Sequence, residues 1–207
     1  MSGAASGREA ARHALIASLV PEAARVLDVG CGDGALMRTL ARTRSAKAYG
    51  LEIDGQAVAA AVALGLSVVQ GDAETDLASY PEGAFDAVIL SNSLQALRAP
   101  RAALRRATRI GRRAVVSFPN FGHWRVRASL LRSGRMPQSR ALPTPWYETE
   151  NIHLCTVLDF LDLCRADGLT VLTAHAVTGG RAWPVDPARP GLANLRAQEA
   201  VFSVAPP

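Results

Sequence analysis

The chain has 207 residues, 49% of them hydrophobic and 20% charged, with a formal net charge of +5. That length suits a single domain spanning residues 1–207 with a full core, and no apolar run approaches the length needed to cross a bilayer. The opening residues lack a basic start followed by an apolar stretch, so no secretion signal is read and a cytoplasmic location is expected.

The first strand-like run, residues 25–29, breaks into Gly30-Cys31-Gly32-Asp33-Gly34, with Asp28 two residues ahead of the first glycine. The spacing Gly30-x-Gly32-x-x-Ala35 formally fits a dinucleotide fingerprint, in which small residues let backbone and a helix N-terminus approach a pyrophosphate. Asp28 and Asp33, however, would set negative charge beside that dianion. S-adenosylmethionine (SAM) has no phosphate and carries an ammonium and a sulfonium. Acidic groups attract it, while the glycines still permit close contact.

A second strand, residues 48–53, ends in Glu52-Ile53-Asp54, and Glu52 lies about as far beyond the glycines as a ribose-binding acid does in nucleotide folds. A third, residues 67–70, leads to Asp72, placed to accept from an adenine amino group, with Leu51, Ile53 and Ala73 flanking the base. For each acid alone the alternative is a helix cap or a solvated loop. Three acids in order at three strand ends favour the cofactor. Asp54 is placed to cap the helix after the second strand, which Gly65 ends.

Further strands are expected at 85–91, 113–118, 170–177 and 200–204, making seven, with a helix at 100–110 stopped by Gly111 and another opened by a Thr156/Asp159 capping box and ending near Gly168. Helical segments separate the first five strands, as a parallel α/β sheet requires, whereas the last two lack a crossover helix and predict an antiparallel strand at one edge. Residues 178–198 read as a loop. Cys31, Cys155 and Cys164 lack metal-ligand spacing and read as reduced packing residues, so no metal site is expected.

Between residues 87 and 147 there are arginines throughout and no Asp or Glu, so this half of the sheet is expected to be electropositive. Arg101, Arg105 and Arg109 share one helical face. Interleaved stacking aromatics and a recognisable nucleic-acid module are lacking, which disfavours nucleic acid as a partner. Substrate residues in such a sheet belong above the C-terminal strand ends, near Ser91-Asn92-Ser93-Leu94-Gln95 and Ser117-Phe118-Pro119-Asn120. No Asn/Asp-Pro-Pro-aromatic motif follows the fourth strand, which disfavours base methylation. Ser91, Gln95 and Asn120 can orient a ligand but are not general bases near neutrality, while His123 and His153 can titrate there.

Residues 119–155 form an insertion rich in Trp124, Arg125, Arg127, Trp146 and Tyr147, the composition of a lid or a protein interface. The plainer alternative is a short helix that packs Trp124, Leu130 and Leu131 onto the sheet.

The glycine motif, Gly50-Leu51-Glu52-Ile53-Asp54, the stretch Phe118-Pro119-Asn120-Phe121-Gly122-His123-Trp124-Arg125-Val126-Arg127 and Asn151-Ile152-His153-Leu154-Cys155-Thr156 together resemble the bacterial methionine-biosynthesis family MetW, over about residues 25–204. Asp72-Ala73-Glu74 departs from that family's commoner Asp-Leu-Asp but keeps Asp72. The resemblance implies an α/β, Rossmann-like seven-stranded class I SAM-methyltransferase fold. It implies a cofactor, SAM or S-adenosylhomocysteine, held by Asp28, Gly30, Gly32, Gly34, Glu52, Ile53, Asp72, Ala73 and Ser91. It also implies a role supporting the homoserine O-acyltransferase MetX, with Asn120, His123, Trp124, Arg125, Arg127, Trp146, Tyr147 and His153 as substrate or partner residues. The alternative is a SAM-dependent methyltransferase acting on a small molecule.

Overall fold

The computed structural model describes residues 2–138, 144–149 and 151–206. Residues 139–143 and 150 of the predicted insertion lie outside the described residues. Strands β1 (Arg25–Val29), β2 (Lys47–Glu52), β3 (Ser67–Gln70), β4 (Ala87–Ser91) and β5 (Ala114–Pro119) run parallel in the order β3-β2-β1-β4-β5. β4 and β5 are near-continuous apolar runs because, as central strands of a parallel sheet, they are covered on both faces. β3 at the edge is largely exposed.

The antiparallel part is larger than the sequence suggests. β6 (Thr170–Thr178) and β8 (Glu199–Ala205) form it with an eighth strand, β7 (Arg181–Pro184): β8 runs against both β5 and β6, and β7 closes the edge. β7 arises inside residues 178–198, where a loop is expected. Its signal is Gly179-Gly180, both at positive φ, which form a two-residue hairpin turn between the paired Thr178 and Arg181.

Alternation along the strands sorts side chains to two faces. Leu27, Val88 and Val116 join α5 (Pro100–Ile110) and α7 (Val157–Ala166) in one core, whereas Val26, Ile89 and Val115 join α1 (Ser2–Ser18) and α2 (Ala35–Arg44) in the other. Phe118, Phe160 and Phe202 tie β5, α7 and β8 together, with ring centroids 4.7–5.9 Å apart. The expected start and stop signals operate: the Asp54 carboxylate accepts from the Gln56 amide at α3 (Gly55–Ala63), Pro100 opens α5, and Thr156 and Asp159 form a reciprocal capping box on α7.

Three short or unread helices complete the chain. Asp72 caps the one-turn α4 (Ala73–Asp76), α6 (Trp124–Ser133) ends at Gly134 with φ 61°, and α8 (Ala193–Arg196) precedes β8. Among the described residues no helix is long and apolar enough to cross a membrane.

Candidate functional site

The C-terminal ends of β1, β2, β3 and β4 surround a cavity of about 400 Å³. Gly30, Glu52, Ile53, Asp72, Ala73 and Ser91 all line it, so six of the nine residues expected to hold a cofactor converge. The turn above β1 carries Gly30, Gly32 and Gly34 at φ 73°, 54° and 76°. A Cβ on Gly30 would lie 2.9 Å from that of Ser93, whereas one on Gly32 would meet nothing within 4 Å. Gly30 therefore closes the chain against the β4 turn, and Gly32 leaves open space. Gly34 differs from expectation: a Cβ there would run into the Leu66 side chain, so it serves packing beside α2.

The acids are held differently from one another. Glu52 Oε2 accepts from the Gly32 amide at 2.8 Å, and Oε1 accepts from the Ile53 and Asp54 amides at 2.8 and 3.0 Å. Two carboxylate oxygens offer about four acceptor sites, so Oε2 keeps capacity for one more donor. Asp72 Oδ1 accepts from the Glu74 amide at 2.8 Å, which makes it the helix cap of the bland reading as well as a wall of the cavity.

Asp28 is the exception. It is 1% exposed, and neither carboxyl oxygen has a hydrogen-bond partner among the described residues. It lies beneath the glycine turn and does not form the wall. Burial, and then the charge of Glu52, push its pKa up to about 7.

The turn after β4, where substrate residues are expected, supplies further parts of the cavity. Asn92 and Ser93 line the cavity, Asn92 at φ 57°, and Asn92 Oδ1, Ser93 Oγ and the Oε1 of buried Gln95 have no partner among the described residues. Their signal is position: they follow a central strand at its C-terminal end.

Two expected ligand or partner residues have structural posts instead. Asn120 is buried, and its Nδ2 donates to the Asn194 and Ala197 carbonyls at 2.9 and 2.8 Å while Oδ1 accepts from the Gly122 and Val157 amides at 2.9 and 3.2 Å. Nothing remains for a ligand. His123 is buried too, and its Nδ1 accepts from the Arg125 amide at 3.3 Å as the cap of α6. Burial, and then Arg125, lower its pKa, favouring the neutral ring that can accept.

Arg127 Nε donates to the Gly122 carbonyl at 2.7 Å. His153 bridges two regions: its amide donates to the Gln95 carbonyl at 3.0 Å, and Nε2 lies 3.3 Å from the Arg98 carbonyl oxygen. Arg98 belongs to the cavity wall.

Trp146 and Tyr147 stand elsewhere, 70% and 69% exposed, on a wider groove of about 920 Å³ that also takes in Phe121, Met136, Ile152 and Leu154. α6 does not bury Trp124, Leu130 or Leu131, contrary to the packing alternative; Leu131 is 90% exposed and only Val126 of that helix is buried. The Arg125 guanidinium lies 5.2 Å from the Trp124 ring centroid.

The expected electropositive half is partly offset along α5, where three of the four arginines find a carboxylate. Arg101 and Arg105 both bind Asp167, with nitrogen–oxygen distances of 2.7–3.0 Å, and Arg109 reaches Glu82 at 2.7 Å. Acids outside the arginine-rich stretch fold back onto it, which a linear count of charge does not show. Arg125, Arg132 and Arg135 have no such partner among the described residues.

This sheet order, with the cavity over the β1 turn, matches solved structures across nearly the whole chain. A SAM-dependent methyltransferase of Thermotoga maritima, described as a possible histamine N-methyltransferase, superposes with a TM-score of 0.70 at 16% identity, covering 98% of this chain and 90% of that one. A SAM-dependent methyltransferase of Mesorhizobium loti gives 0.67 at 21% identity, covering 94% and 97%. Such distant likeness establishes the class I methyltransferase fold and no activity. Residues 10–204 match the family model for methionine biosynthesis protein MetW. The chain belongs to the MetW family. Among relatives, the bifunctional methionine biosynthesis protein MetXA/MetW of Rhodopirellula baltica is 30% identical over 157 residues, 72% of this chain. This MetW-family chain spans only about a quarter of that relative's length, 25%.

Two expectations follow from the geometry. Because Asp28 has a folded pKa above its unfolded value, it binds its proton more tightly when folded. Stability therefore falls as pH rises from about 4 to about 7 and levels off above. Asp28→Asn removes this dependence and is the more stable protein at pH 8 by about 4 kcal/mol, read from urea unfolding at several pH values. Asn120→Ala breaks four hydrogen bonds and strands the Gly122 and Val157 amides, costing about 3 kcal/mol or more in the same measurement.

Proposed function

We propose that this MetW-family chain is a cytoplasmic SAM-binding subunit that supports a MetX-type homoserine O-acyltransferase in methionine biosynthesis. The observation that carries the SAM reading is the buried, unpartnered Asp28 carboxyl beside Glu52. A phosphate would add to that negative field, whereas an ammonium and a sulfonium relieve it. The donor set agrees: Glu52 keeps acceptor capacity for one ribose hydroxyl, Asp72 and Ala73 offer a wall for the base, and Gly32 leaves space for the amino-acid end. S-adenosylhomocysteine fits the same groups.

Support for the acyltransferase partner comes from the R. baltica relative, which carries the names MetXA and MetW on one bifunctional chain. Acid–base chemistry at the cavity has little to work with. Among the described residues the wall has no His, Lys, Cys or Tyr; its carboxylates Glu52, Asp72 and Glu74 already accept backbone amides, and Asp28, pushed up to about 7, is sealed beneath the turn. A binding and regulatory role therefore fits better than methyl transfer to a small molecule. Trp124, Arg125, Arg127, Trp146, Tyr147 and His153 belong to the partner side of this reading. His153 ties the cavity wall at Arg98 to the segment between Ile152 and Leu154, so SAM occupancy and partner affinity are coupled by one equal factor in both directions.

Calorimetry with SAM is the test. The wild-type chain binds, Glu52→Gln weakens binding by about tenfold, and Gly32→Val abolishes it because the new side chain fills the ligand's space and strains a positive φ. A cationic ligand lowers the Asp28 pKa, so binding releases a proton and affinity rises with pH through about 7; Asp28→Asn flattens that profile. Unchanged affinity in all three variants removes SAM from this cavity. Labelled SAM that passes its methyl group to a small molecule with the purified chain alone establishes the methyltransferase instead.

A further inference from the structure

Large apolar side chains are scattered singly on most monomer surfaces, yet here they gather. Trp124 and Leu131 are seven residues apart on α6 and so share a face, and Arg125 and Arg132 repeat at the same spacing immediately beside them. The chain then runs from the last turn of α6 directly into the groove, where Met136, Trp146 and Tyr147 stand exposed. A contiguous apolar surface of this kind marks an interaction site, and exposed Trp, Tyr and Arg are the residue types that dominate binding energy at protein contacts. Charge is equally one-sided: Arg101, Arg105 and Arg109 of α5 are paired with Asp167 and Glu82, whereas the arginines of α6 have no carboxylate partner among the described residues.

We propose that α6 and the adjoining aromatic groove form the docking surface for a protein whose matching face is an apolar ridge flanked by carboxylates. The inference rests on the acyltransferase reading and specifies where, and through what chemistry, that partner is held. The ridge fills the groove between Met136 and Trp146, its apolar side covers Leu131, and its carboxylates meet the arginines of α6. Concavity decides against a bilayer, because an interfacial helix needs an unobstructed apolar face and a planar lipid surface cannot fill a groove of about 920 Å³.

The experiment measures association of the full chain with a purified MetX-type homoserine O-acyltransferase. Leu131→Glu and the double variant Arg125→Glu/Arg132→Glu each weaken it by about tenfold or more, while the exposed β6 control Leu172→Glu stays within about twofold. Wild-type affinity also falls as salt rises, as carboxylate–arginine contacts require. Near-ultraviolet circular dichroism and SAM affinity report that each variant is folded. Undiminished association in both α6 variants overturns this surface while leaving the acyltransferase reading intact. Failure of the wild-type chain to associate overturns that reading and this occupant together. Self-association, or flotation with phosphatidylglycerol vesicles, that Leu131→Glu removes without affecting acyltransferase binding also overturns the proposal.

Discussion

A carboxyl with no partner, buried at the head of β1 and facing the charge of Glu52, is the constraint around which the cavity is arranged. Folding penalises such a group by several kcal/mol unless it keeps its proton or gains a cation. A neutral residue at Asp28 would relieve the fold at once, since the strand pairs on both sides and the surrounding core need no charge there. The glycine turn is built over it without offering an amide. Its donors go instead to Glu52, as with the Gly32 amide, or to backbone carbonyls, as with the Gly30 amide on Leu51 and the Gly34 amide on Cys31. The negative field is therefore left uncompensated from within.

Six expected cofactor residues converge although they come from four separate strand ends, and sheet topology is the reason. Parallel strands in register bring their C-terminal ends to one edge of the sheet: Asp28 pairs with Gly50, Glu52 with Gln70, and Ser91 with Ser117. Once the order β3-β2-β1-β4 is set, Glu52, Asp72 and Ser91 have no other place to go. This is why spacing along the chain reads the cavity well. Strand periodicity fixes which residue ends each strand, and right-handed crossovers fix which ends are neighbours.

Less local features were less legible. The Asn120 stretch looks like a ligand-binding segment in sequence because an amide, a glycine and an imidazole follow a central strand. Three of the four hydrogen bonds of Asn120 run to partners 37 to 77 residues away, which no window along the chain reveals. The partial offset of charge along α5 was hidden for the same reason, since Asp167 lies 62 and 66 residues beyond Arg105 and Arg101. β7 is the opposite case. Its two-glycine turn is a local signal, obscured by the prolines that follow it, which made the whole stretch read as a loop.

Local rules are broken in few places, and the places are connected. Asp28 is buried without a partner, Asn92 takes a left-handed conformation while its side-chain oxygen stays unbonded, and α6 turns Trp124 and Leu131 outward. Stability alone would remove each of these, because a neutral strand residue, a glycine and a polar helix face all cost less. Asn92 lines the cavity and Asp28 lies buried beneath its glycine turn; the turn carrying Asn92 continues through Gln95 and Arg98, whose carbonyls His153 contacts. His153 in turn sits between Ile152 and Leu154 of the groove. One covalent and hydrogen-bonded line therefore runs from Asn92 in the cavity wall through Gln95, Arg98 and His153 to Ile152 and Leu154 of the aromatic groove, so the unbonded polar groups of the one and the exposed aromatics of the other share a single stretch of framework.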